Sequence, residues 1–351
     1  MRLSVVCVHY HTPELVGPAI EAVRISARRL LWEIEVFVVD NGSTAEGREI
    51  LESLADVRVL DVGRNLGYGG GANHGFSRSS GDFLMVMNPD VIVDEGCLEA
   101  LAATLRAGAG CVGPRFLWDE RGELLMPPSD ARGFSDELTR ALSGRGGRWE
   151  RRARHRWRRS ARRHWQAEAP LRSALLSGAL LMLRREAWEL VGPFDEEFRL
   201  YFEETDWLRR AQQRQVELRY VPSARAVHFY DQSASGESRA QQWFAQSAKR
   251  FRRKTYGAAG ARLLSAAEKF GGTAGSVAFE QRSLPSDRNS GWLEVSPSPR
   301  GFPAVGAHFP EGLDPAWRLP ADVRARHPEL ALTGRWVSDD DAESAPFCIP
   351  G

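Results

Sequence analysis

The sequence has 351 residues, of which 42% are apolar, and a formal net charge of +1 at pH 7. A chain of this size can bury a substantial core, and we expect one large domain with a smaller one. Because the net charge is close to zero, overall electrostatics predict no particular partner. The four cysteines are widely scattered, which excludes a cysteine-based metal site or a disulfide framework and is typical of a reducing compartment.

The sequence shows no recognisable targeting pattern. A strand pattern begins almost at once, without a basic segment, an apolar core and a small-residue cleavage site before it. The longest apolar run, residues 174–183, is too short to cross a bilayer. We therefore expect a cytoplasmic protein, soluble or held peripherally at the inner face of the membrane.

Short β-branched runs alternate with helical patterns in the amino-terminal part of the chain. The predicted elements are strands at residues 3–8, 35–39, 57–60 and 82–87, with helices at residues 14–29 and 45–54. This alternation predicts βαβ units and an α/β fold with a mostly parallel central sheet in doubly wound layers.

The fourth predicted strand runs into Met85-Val-Met-Asn-Pro-Asp90. Proline cannot continue a central ladder, so Asn88 and Asp90 are expected at the carboxyl end of this strand, where open α/β sheets bind ligands. A carboxylate there can hold a divalent cation, which in turn can neutralise a diphosphate. The alternative is an ordinary turn built on Asn-Pro-Asp.

A glycine-rich stretch, Arg64-Asn-Leu-Gly-Tyr-Gly-Gly-Gly-Ala-Asn-His-Gly75, follows the third predicted strand. Glycine permits positive φ and a close approach of the backbone to a ligand, and amides at the start of a following helix can point at phosphate. The spacing matches neither the dinucleotide fingerprint nor a P-loop. A flexible connection between strand and helix is the alternative.

Several carboxylates lie among aromatic residues near position 200. Glu203, Glu204 and Asp206 cannot all face solvent in a helix that also carries Tyr201 and Trp207. Crowded, partly desolvated carboxyl groups have raised pKa values, which suits a general base. The alternative is an acidic first helical turn that the helix dipole stabilises.

Taken in chain order, the motifs resemble those of family 2 glycosyltransferases, closest to the rhamnosyltransferase-like branch, over about residues 1–260. They are Val5-Val-Cys-Val-His-Tyr10, Val38-Val-Asp-Asn-Gly-Ser43, Asn65-Leu-Gly-Tyr-Gly-Gly-Gly-Ala-Asn73, Met87-Asn-Pro-Asp90, Ser177-Gly-Ala-Leu-Leu-Met182, Gly192-Pro-Phe-Asp195, Tyr201-Phe-Glu-Glu-Thr-Asp206 and the segment from Pro222 to His228. The resemblance implies a GT-A-like nucleotide-sugar-binding fold and an inverting, metal-dependent transfer from a nucleotide-diphosphate sugar.

By position, the resemblance implies a donor site in the amino-terminal part of the chain. Asp40 would bind the nucleobase, and Asn88 stands where many relatives carry the first aspartate of an Asp-x-Asp motif, so it would hydrogen-bond ribose without supplying charge. The other donor-binding residues that the resemblance implies are Tyr10, Asn65, Gly67 and Asn73.

The resemblance also implies the metal ligands and the base. Mg²⁺ or Mn²⁺ would be held by Asp90 and His228 together with diphosphate oxygens, although a lone histidine after a strand is more often structural. Glu204 is the first choice for the general base, with Glu203 and Asp206 as the reserves, because this chain has Glu-Glu where Glu-Asp is commoner. The preferred donor is thymidine-diphosphate rhamnose, and the acceptor is a glycan or lipid-linked hydroxyl.

An arginine-rich insert, at about residues 144–166, separates the two halves of this match. Trp149, Ala153, Trp157, Ala161 and Trp165 recur every four residues, which on a helix makes an apolar stripe flanked by arginine. That pattern predicts a helix on an anionic membrane surface, with a solvated basic helix as the alternative. We expect no nucleic acid as a partner.

We therefore expect a GT-A-like domain at residues 1–268 and an accessory region of unknown role at residues 269–351. Short strand-like runs between proline-rich turns favour a small all-β appendage there, with an irregular tail as the alternative. A rival function is a catalytically weakened binding or scaffold protein at the membrane surface, which Asn88 allows. A nucleotidyltransferase is a third possibility, but the chain lacks a basic phosphate-binding signature near its first strand.

Overall fold

The computed structural model describes residues 1–127, 133–229, 240–272, 289–298 and 300–349. Within these the chain divides into two units. The first unit comprises Met1–Arg115 and Ala167–Gly257, and the second comprises Phe116–Gln166 and Ala258–Gly351. This division differs from the predicted domain boundaries, because residues 116–166 join the carboxyl-terminal unit.

Strands and helices alternate through most of the first unit. The described strands are β1 (Arg2–His9), β2 (Glu33–Asp40), β3 (Arg58–Asp61), β4 (Phe83–Met87), β5 (Val91–Val93), β6 (Cys111–Leu117), β7 (Leu171–Arg172), β8 (Leu180–Arg184), β9 (Leu218–His228), β10 (Gly291–Ser296), β11 (Val305–Phe309), β12 (Thr333–Ser338) and β13 (Phe347–Cys348). The described helices are α1 (Pro13–Ala27), α2 (Ala45–Glu52), α3 (Gly67–Phe76), α4 (Cys97–Arg106), α5 (Phe134–Leu142), α6 (Gly147–Trp165), α7 (Arg185–Val191), α8 (Glu203–Gln213), α9 (Ala240–Gly271) and α10 (Ala321–Arg326).

The sheet of the first unit confirms the predicted α/β class. Its described strands lie in the order β3-β2-β1-β4-β8-β6-β9-β5, with β7 also paired to β9. The pairs among β3, β2, β1 and β4 are parallel, as the βαβ pattern predicts, whereas β8 joins β4 antiparallel. Strand β4 is buried along its whole length, which agrees with its continuous apolar run.

Strand β9 is longer than its sequence pattern indicates. The sequence pattern at residues 217–221 predicts a strand that ends at Pro222, but β9 continues through the proline to His228. Its last residues pair antiparallel with β5, so that Val91 lies opposite His228. This register determines which side chains meet at the end of β4.

The glycine-rich stretch forms most of a helix rather than a flexible connection. Helix α3 packs on β1, and a Cβ atom placed at Gly71 would lie 2.7 Å from Cγ1 of Val8. A Cβ atom at Gly75 would overlap the side chain of Val6. The absence of side chains at these two positions therefore allows the helix to lie against the sheet.

The second unit contains an antiparallel sheet with the described strand order β11-β10-β12-β13. This sheet confirms the prediction of short strands in the carboxyl-terminal region. Its core includes Leu293, Val295, Trp336 and Phe347.

Helix α6 belongs to the second unit, and its packing corrects the interpretation of the tryptophan stripe. Trp157 and Trp165 are buried, and Trp165 stacks on Trp292 of β10 with ring centroids 5.2 Å apart. Arg158 of the same helix is buried and donates from Nη2 to Oε2 of Glu294 at 2.8 Å. The stripe therefore faces a protein core and not a bilayer. None of the helices in the described ranges has the length and apolar character needed to cross a membrane.

The packing of α3 predicts a large effect of one methyl group. Gly75→Ala should lower the free energy of unfolding by about 1–3 kcal/mol, because the new Cβ would overlap Val6 in the buried interface. Urea unfolding followed by circular dichroism measures this. Gly96→Ala is the control, since a Cβ at Gly96 meets nothing within 4 Å and its φ is −90°. Equal effects of the two substitutions would contradict the role of the close approach.

Candidate functional site

A cavity of about 240 Å³ lies in the first unit, at the carboxyl ends of β1 and β4. Its lining comes from the loops after several strands, the start of α3 and the start of α8. The residues that line it are Val8, Tyr10, Asn41, Asn65, Gly67, Tyr68, Asn88, Pro89, Ser177, Gly178, Ala179, Arg199, Leu200, Tyr201, Glu203, Glu204, His228 and Trp243.

The structure brings most of the predicted site residues together in this lining. Those that line the cavity are Tyr10, Asn65, Gly67, Asn88, Glu203, Glu204 and His228. Those that are not among its lining residues are Asp40, Asn73, Asp90 and Asp206. Each of these four makes contacts that explain its position.

Asp90 is held next to His228 by the pairing of β5 with β9. Oδ1 of Asp90 lies 3.4 Å from Nε2 of His228, and both residues are buried. The backbone N–H of Phe229 donates to the carbonyl oxygen of Asp90 at 3.0 Å, which fixes the two chain segments. A carboxylate and an imidazole therefore meet beside the lining residues Asn88 and Pro89.

Asp40 is fully buried at the end of β2 and organises its own turn. Its Oδ1 accepts hydrogen bonds from the N–H groups of Gly42 and Ser43, at 3.1 and 2.8 Å. Its Oδ2 has no hydrogen-bond partner in the described part of the chain. The neighbouring Asn41 lines the cavity, and its side chain accepts from the N–H of Leu66 and donates to the carbonyl of Gly67. Asn41 therefore fixes the start of α3.

Asn73 positions a segment rather than facing the cavity. Its Oδ1 accepts from the N–H of Phe194 at 2.9 Å, and its Nδ2 donates to the carbonyl of Phe194 at 3.0 Å and to Oε1 of Glu196 at 2.9 Å. These bonds tie α3 to the segment that leads towards α8.

Two consecutive residues with left-handed backbone precede the acidic turn of α8. Tyr201 has φ 64° and Phe202 has φ 72°, a conformation that costs about 1–2 kcal/mol for each non-glycine residue. Phe202 is buried, and its ring packs against Phe251 with centroids 5.3 Å apart. The packing offsets this strain and sets the direction in which α8 begins.

Glu203 and Glu204 both face the cavity from the first turn of α8, each beside a glycine. A Cβ at Gly69 would lie 3.2 Å from Cβ of Glu203, and a Cβ at Gly178 would lie 2.9 Å from Cγ of Glu204. Burial, together with the neighbouring Glu204 carboxylate, raises the pKa of Glu203 well above its ordinary value of 4.5. Glu203 is therefore protonated where an exposed glutamate has lost its proton.

Asp206 is occupied by cations. Its Oδ2 accepts from Nε of Arg210 at 2.9 Å, and its Oδ1 lies 2.8 Å from Nζ of Lys254. Both oxygens of this carboxylate are therefore already engaged by cationic side chains. Among the three predicted carboxylates, Asp206 is the one that the geometry suits least for proton removal.

Sequence reasoning did not assign roles to three residues of the lining. The Tyr68 hydroxyl donates to the carbonyl of Gly178 at 2.5 Å, and burial raises its pKa, so it stays a donor. Arg199 donates from Nη1 to the carbonyl of Asn65 at 3.2 Å and brings a cation to the start of α3. Trp243, on α9, also lines the cavity. These three residues are far apart in the chain, so the sequence pattern around each of them does not show that they meet.

The profile of the family described as Glycosyl transferase family 2 matches residues 4–189, more than half of the chain. The chain belongs to the family 2 glycosyltransferases. This confirms the resemblance drawn from the motifs.

Two relatives of this glycosyltransferase are similar to it over more than half of its length. It is 30% identical over 213 residues to the N-acetylglucosaminyl-diphospho-decaprenol L-rhamnosyltransferase of Mycobacterium tuberculosis, covering 56% of this chain and 66% of that protein. It is 25% identical over 233 residues to the low-salt glycan biosynthesis hexosyltransferase Agl10 of Haloferax volcanii, covering 64% of this chain and 66% of that protein. The chain thus spans just under two thirds of the length of each.

A solved structure supports the fold. The crystal structure of GalNAc-T7 with UDP, GalNAc and Mn²⁺ has a TM-score of 0.50 and 14% identity, covering 100% of this chain and 72% of that chain. At this identity the likeness shows the fold alone, and the fold is of the GT-A type that the resemblance implied.

The raised pKa of Glu203 predicts a pH dependence of stability. The folded glycosyltransferase keeps the Glu203 proton at pH values where the unfolded chain releases it, so stability falls as pH rises above about 4.5. Glu203→Gln removes this contribution, and its free energy of unfolding should fall less than that of the parent between about pH 5 and about pH 8. Urea unfolding across that range measures the difference. Parallel pH profiles for parent and variant would show that Glu203 ionises normally in the folded state.

Proposed function

We propose that the chain transfers a sugar from a nucleotide-diphosphate sugar to a hydroxyl group of a lipid-linked glycan acceptor, with inversion at the anomeric carbon. The observation that carries this proposal is the pair Glu203 and Glu204, which faces Asn88 and the start of α3 in one cavity at the carboxyl end of the sheet. This edge is where open α/β sheets bind ligands. The name of the mycobacterial relative supports a rhamnose donor and a lipid-linked acceptor.

In this proposal the acceptor oxygen attacks the anomeric carbon as the bond from that carbon to the diphosphate oxygen breaks. Glu204 accepts the hydroxyl proton, and the nucleoside diphosphate leaves with the electron pair. Glu204 is half-buried and lines the cavity, whereas Glu203 holds its own proton and Asp206 is paired with two cations. Glu204 is therefore the carboxylate best suited to take the proton.

The donor would bind with its diphosphate near the start of α3 and its nucleoside towards β2. Arg199 is the one arginine or lysine among the described residues that line the cavity, and it lies where a diphosphate needs positive charge. Asn88 offers amide hydrogen bonds to the ribose, and Tyr10 lies in the same lining. Asp40 and Asn41 position the loop that holds this side of the cavity.

A divalent cation fits the residues at the end of β4. Within the described ranges no group of three or more His, Cys, Asp or Glu side chains could hold a metal, so the protein would supply Asp90 and His228. Mg²⁺ is commonly bound by one or two carboxylates plus substrate phosphates, and imidazole also suits Mn²⁺. When bound, the cation would neutralise charge on the diphosphate.

The direct test of this function is a panel of nucleotide sugars. With Mg²⁺ or Mn²⁺ and a short-chain lipid-linked acceptor, we expect acceptor-dependent release of nucleoside diphosphate, with the largest signal for thymidine-diphosphate rhamnose. Enzyme-coupled detection of the released nucleotide measures it. If no nucleotide sugar of the panel releases nucleoside diphosphate, the rival hypothesis is favoured. That hypothesis is a binding protein that has lost turnover, which Asn88 allows.

Asp90→Asn should weaken donor binding at least tenfold in the presence of Mg²⁺, because the amide removes the charge that holds the cation beside two phosphates. Without the cation, the parent and the variant should bind alike. Titration calorimetry measures both conditions. Asp94→Asn is the matched control, since Asp94 is half exposed and lies 3.4 Å from Arg225. Equal affinity of Asp90→Asn and parent would remove Asp90 from the metal site.

Glu204→Gln should reduce turnover by about 10²-fold or more while changing donor affinity little, because glutamine keeps the shape but cannot take the proton. Glu203→Gln should keep most of the turnover near neutral pH, since the protonated carboxyl already resembles an amide. Initial rates and donor titrations separate these effects. If Glu203→Gln is inactive while Glu204→Gln transfers sugar normally, the role of base moves to Glu203.

A further inference from the structure

The second part of α9 carries an exposed apolar stripe. Gly257, with φ 70°, interrupts the helix where the first unit ends, and the following segment belongs to the second unit. Four exposed apolar residues of that segment lie on one face of the helix, and we call them the α9 stripe: Ala259, Leu263, Ala266 and Phe270. Leu263 is 53% exposed and Phe270 is 63% exposed. Contiguous exposed apolar surface bordered by polar residues marks sites of interaction with proteins or membranes.

The α9 stripe is separate from the face by which this helix packs. At 100° per residue, its four members fall within an arc of about 60°. The buried positions Leu264, Ala267 and Gly271 lie to one side of that arc. Arg262 and Lys269 lie to its other side and are exposed. The helix thus presents a packed face, an exposed apolar stripe and a basic edge in succession.

A further cation lies directly on the stripe. The guanidinium carbon of Arg145 is 4.1 Å from the ring centroid of Phe270, and its Nη1 donates to the carbonyl of Phe270 at 3.3 Å. Helix α6 begins two residues later, and its Arg148, Arg151 and Arg152 are exposed. The one acidic residue on this part of α9, Glu268, falls on the opposite side of the helix from the stripe.

We propose that the α9 stripe docks the protein on an anionic lipid bilayer, with Leu263 and Phe270 entering the headgroup boundary and the basic edge contacting lipid phosphates. Exposed apolar residues bordered by arginine and lysine form the pattern of helices that lie in a membrane interface. The choice of a membrane rests on the proposed function, because a lipid-linked acceptor has to be met at a bilayer.

Charge argues against a second copy of the chain as the occupant. A symmetric dimer through the stripe would bring Arg145, Arg262 and Lys269 of each copy towards the same residues of the other. Like charges at such an interface oppose association, whereas anionic headgroups attract all of them. The tryptophan stripe of α6 does not serve this purpose, since its members Ala153, Trp157, Ala161 and Trp165 are buried in the second unit.

Vesicle flotation of the full chain tests this inference. The vesicles contain phosphatidylcholine with about one third phosphatidylglycerol, and vesicles of phosphatidylcholine alone provide the neutral comparison. Leu263→Ser with Phe270→Ser should lower the bound fraction about tenfold, because both apolar anchors are lost. Ile50→Ser with Leu190→Ser is the matched control, since these residues are 44% and 56% exposed in the first unit. The control pair should bind within about twofold of the parent.

The basic edge is tested separately. Arg262→Glu with Lys269→Glu should lower binding to anionic vesicles at least tenfold at low salt, whereas Arg106→Glu with Arg214→Glu, at exposed positions of the first unit, should change it less than threefold. Salt of about 0.5 M should weaken parental binding, because it screens the attraction. Absence of parental binding to anionic vesicles at low salt would overturn the proposal, as would unchanged binding of the stripe variant.

Two further measurements separate the possible failures. If light scattering shows a parental dimer that the Leu263→Ser, Phe270→Ser variant lacks, the α9 stripe is a self-interface and the proposal fails. Turnover with a water-soluble short-chain acceptor needs no vesicles, so activity without vesicle binding would overturn only the docking. Vesicle binding without turnover on any donor would leave the docking in place and remove the proposed function.

Discussion

The site depends on the left-handed backbone at Tyr201 and Phe202, since this turn determines where α8 begins and which cavity its first carboxylates face. The conformation costs about 1–2 kcal/mol at each residue, so it persists only where the surroundings enforce it. Those surroundings are the rings of Phe198 and Phe251, both buried, which enclose Phe202. A turn without this packing would relax and move Glu203 and Glu204 away from the start of α3.

Two glycines that face the first turn of α8 also allow its carboxylates to lie in the cavity. Gly69 and Gly178 leave room for Glu203 and Glu204, and the hydroxyl of Tyr68 bridges α3 to the carbonyl of Gly178. The two carboxylates therefore occupy a narrow space between a helix and a loop that are far apart in sequence. Burial in that space, together with the neighbouring Glu204, raises the pKa of Glu203, so Glu203 keeps its proton.

Sequence reasoning predicted the parts of this site that lie at strand ends. The apolar run of β4 and the proline after it correctly placed Asn88 and Asp90 at the edge of the sheet, because burial and the missing proline N–H act locally. The meeting of Asp90 with His228 could be expected only from the family motifs, since it depends on the pairing of β5 with a strand that starts more than a hundred residues later. No local pattern indicated that Arg199 and Trp243 would line the same cavity.

The arginine-rich insert shows where periodicity is ambiguous. A four-residue repeat of tryptophan and alanine predicts a helix with one apolar face, and α6 is that helix. The repeat cannot tell a bilayer from the face of a sheet, and Trp157 and Trp165 pack in the core of the second unit. In this core the buried side chain of Arg158 forms an ion pair with Glu294. The excess of arginine in the insert did not indicate that one of these arginines would be buried. Among the described residues of the second unit, the exposed large apolar side chains are Leu263 and Phe270, which lie instead on α9.

The central claim is that one carboxylate in this cavity deprotonates an acceptor which attacks opposite the leaving diphosphate. The anomeric configuration of the transferred sugar tests it most directly, because a single displacement must invert that centre. Proton NMR of the product, recorded early in the reaction, should show the anomeric configuration opposite to that of the donor. A product that retains the donor configuration would require a different mechanism and would contradict the role of Glu204.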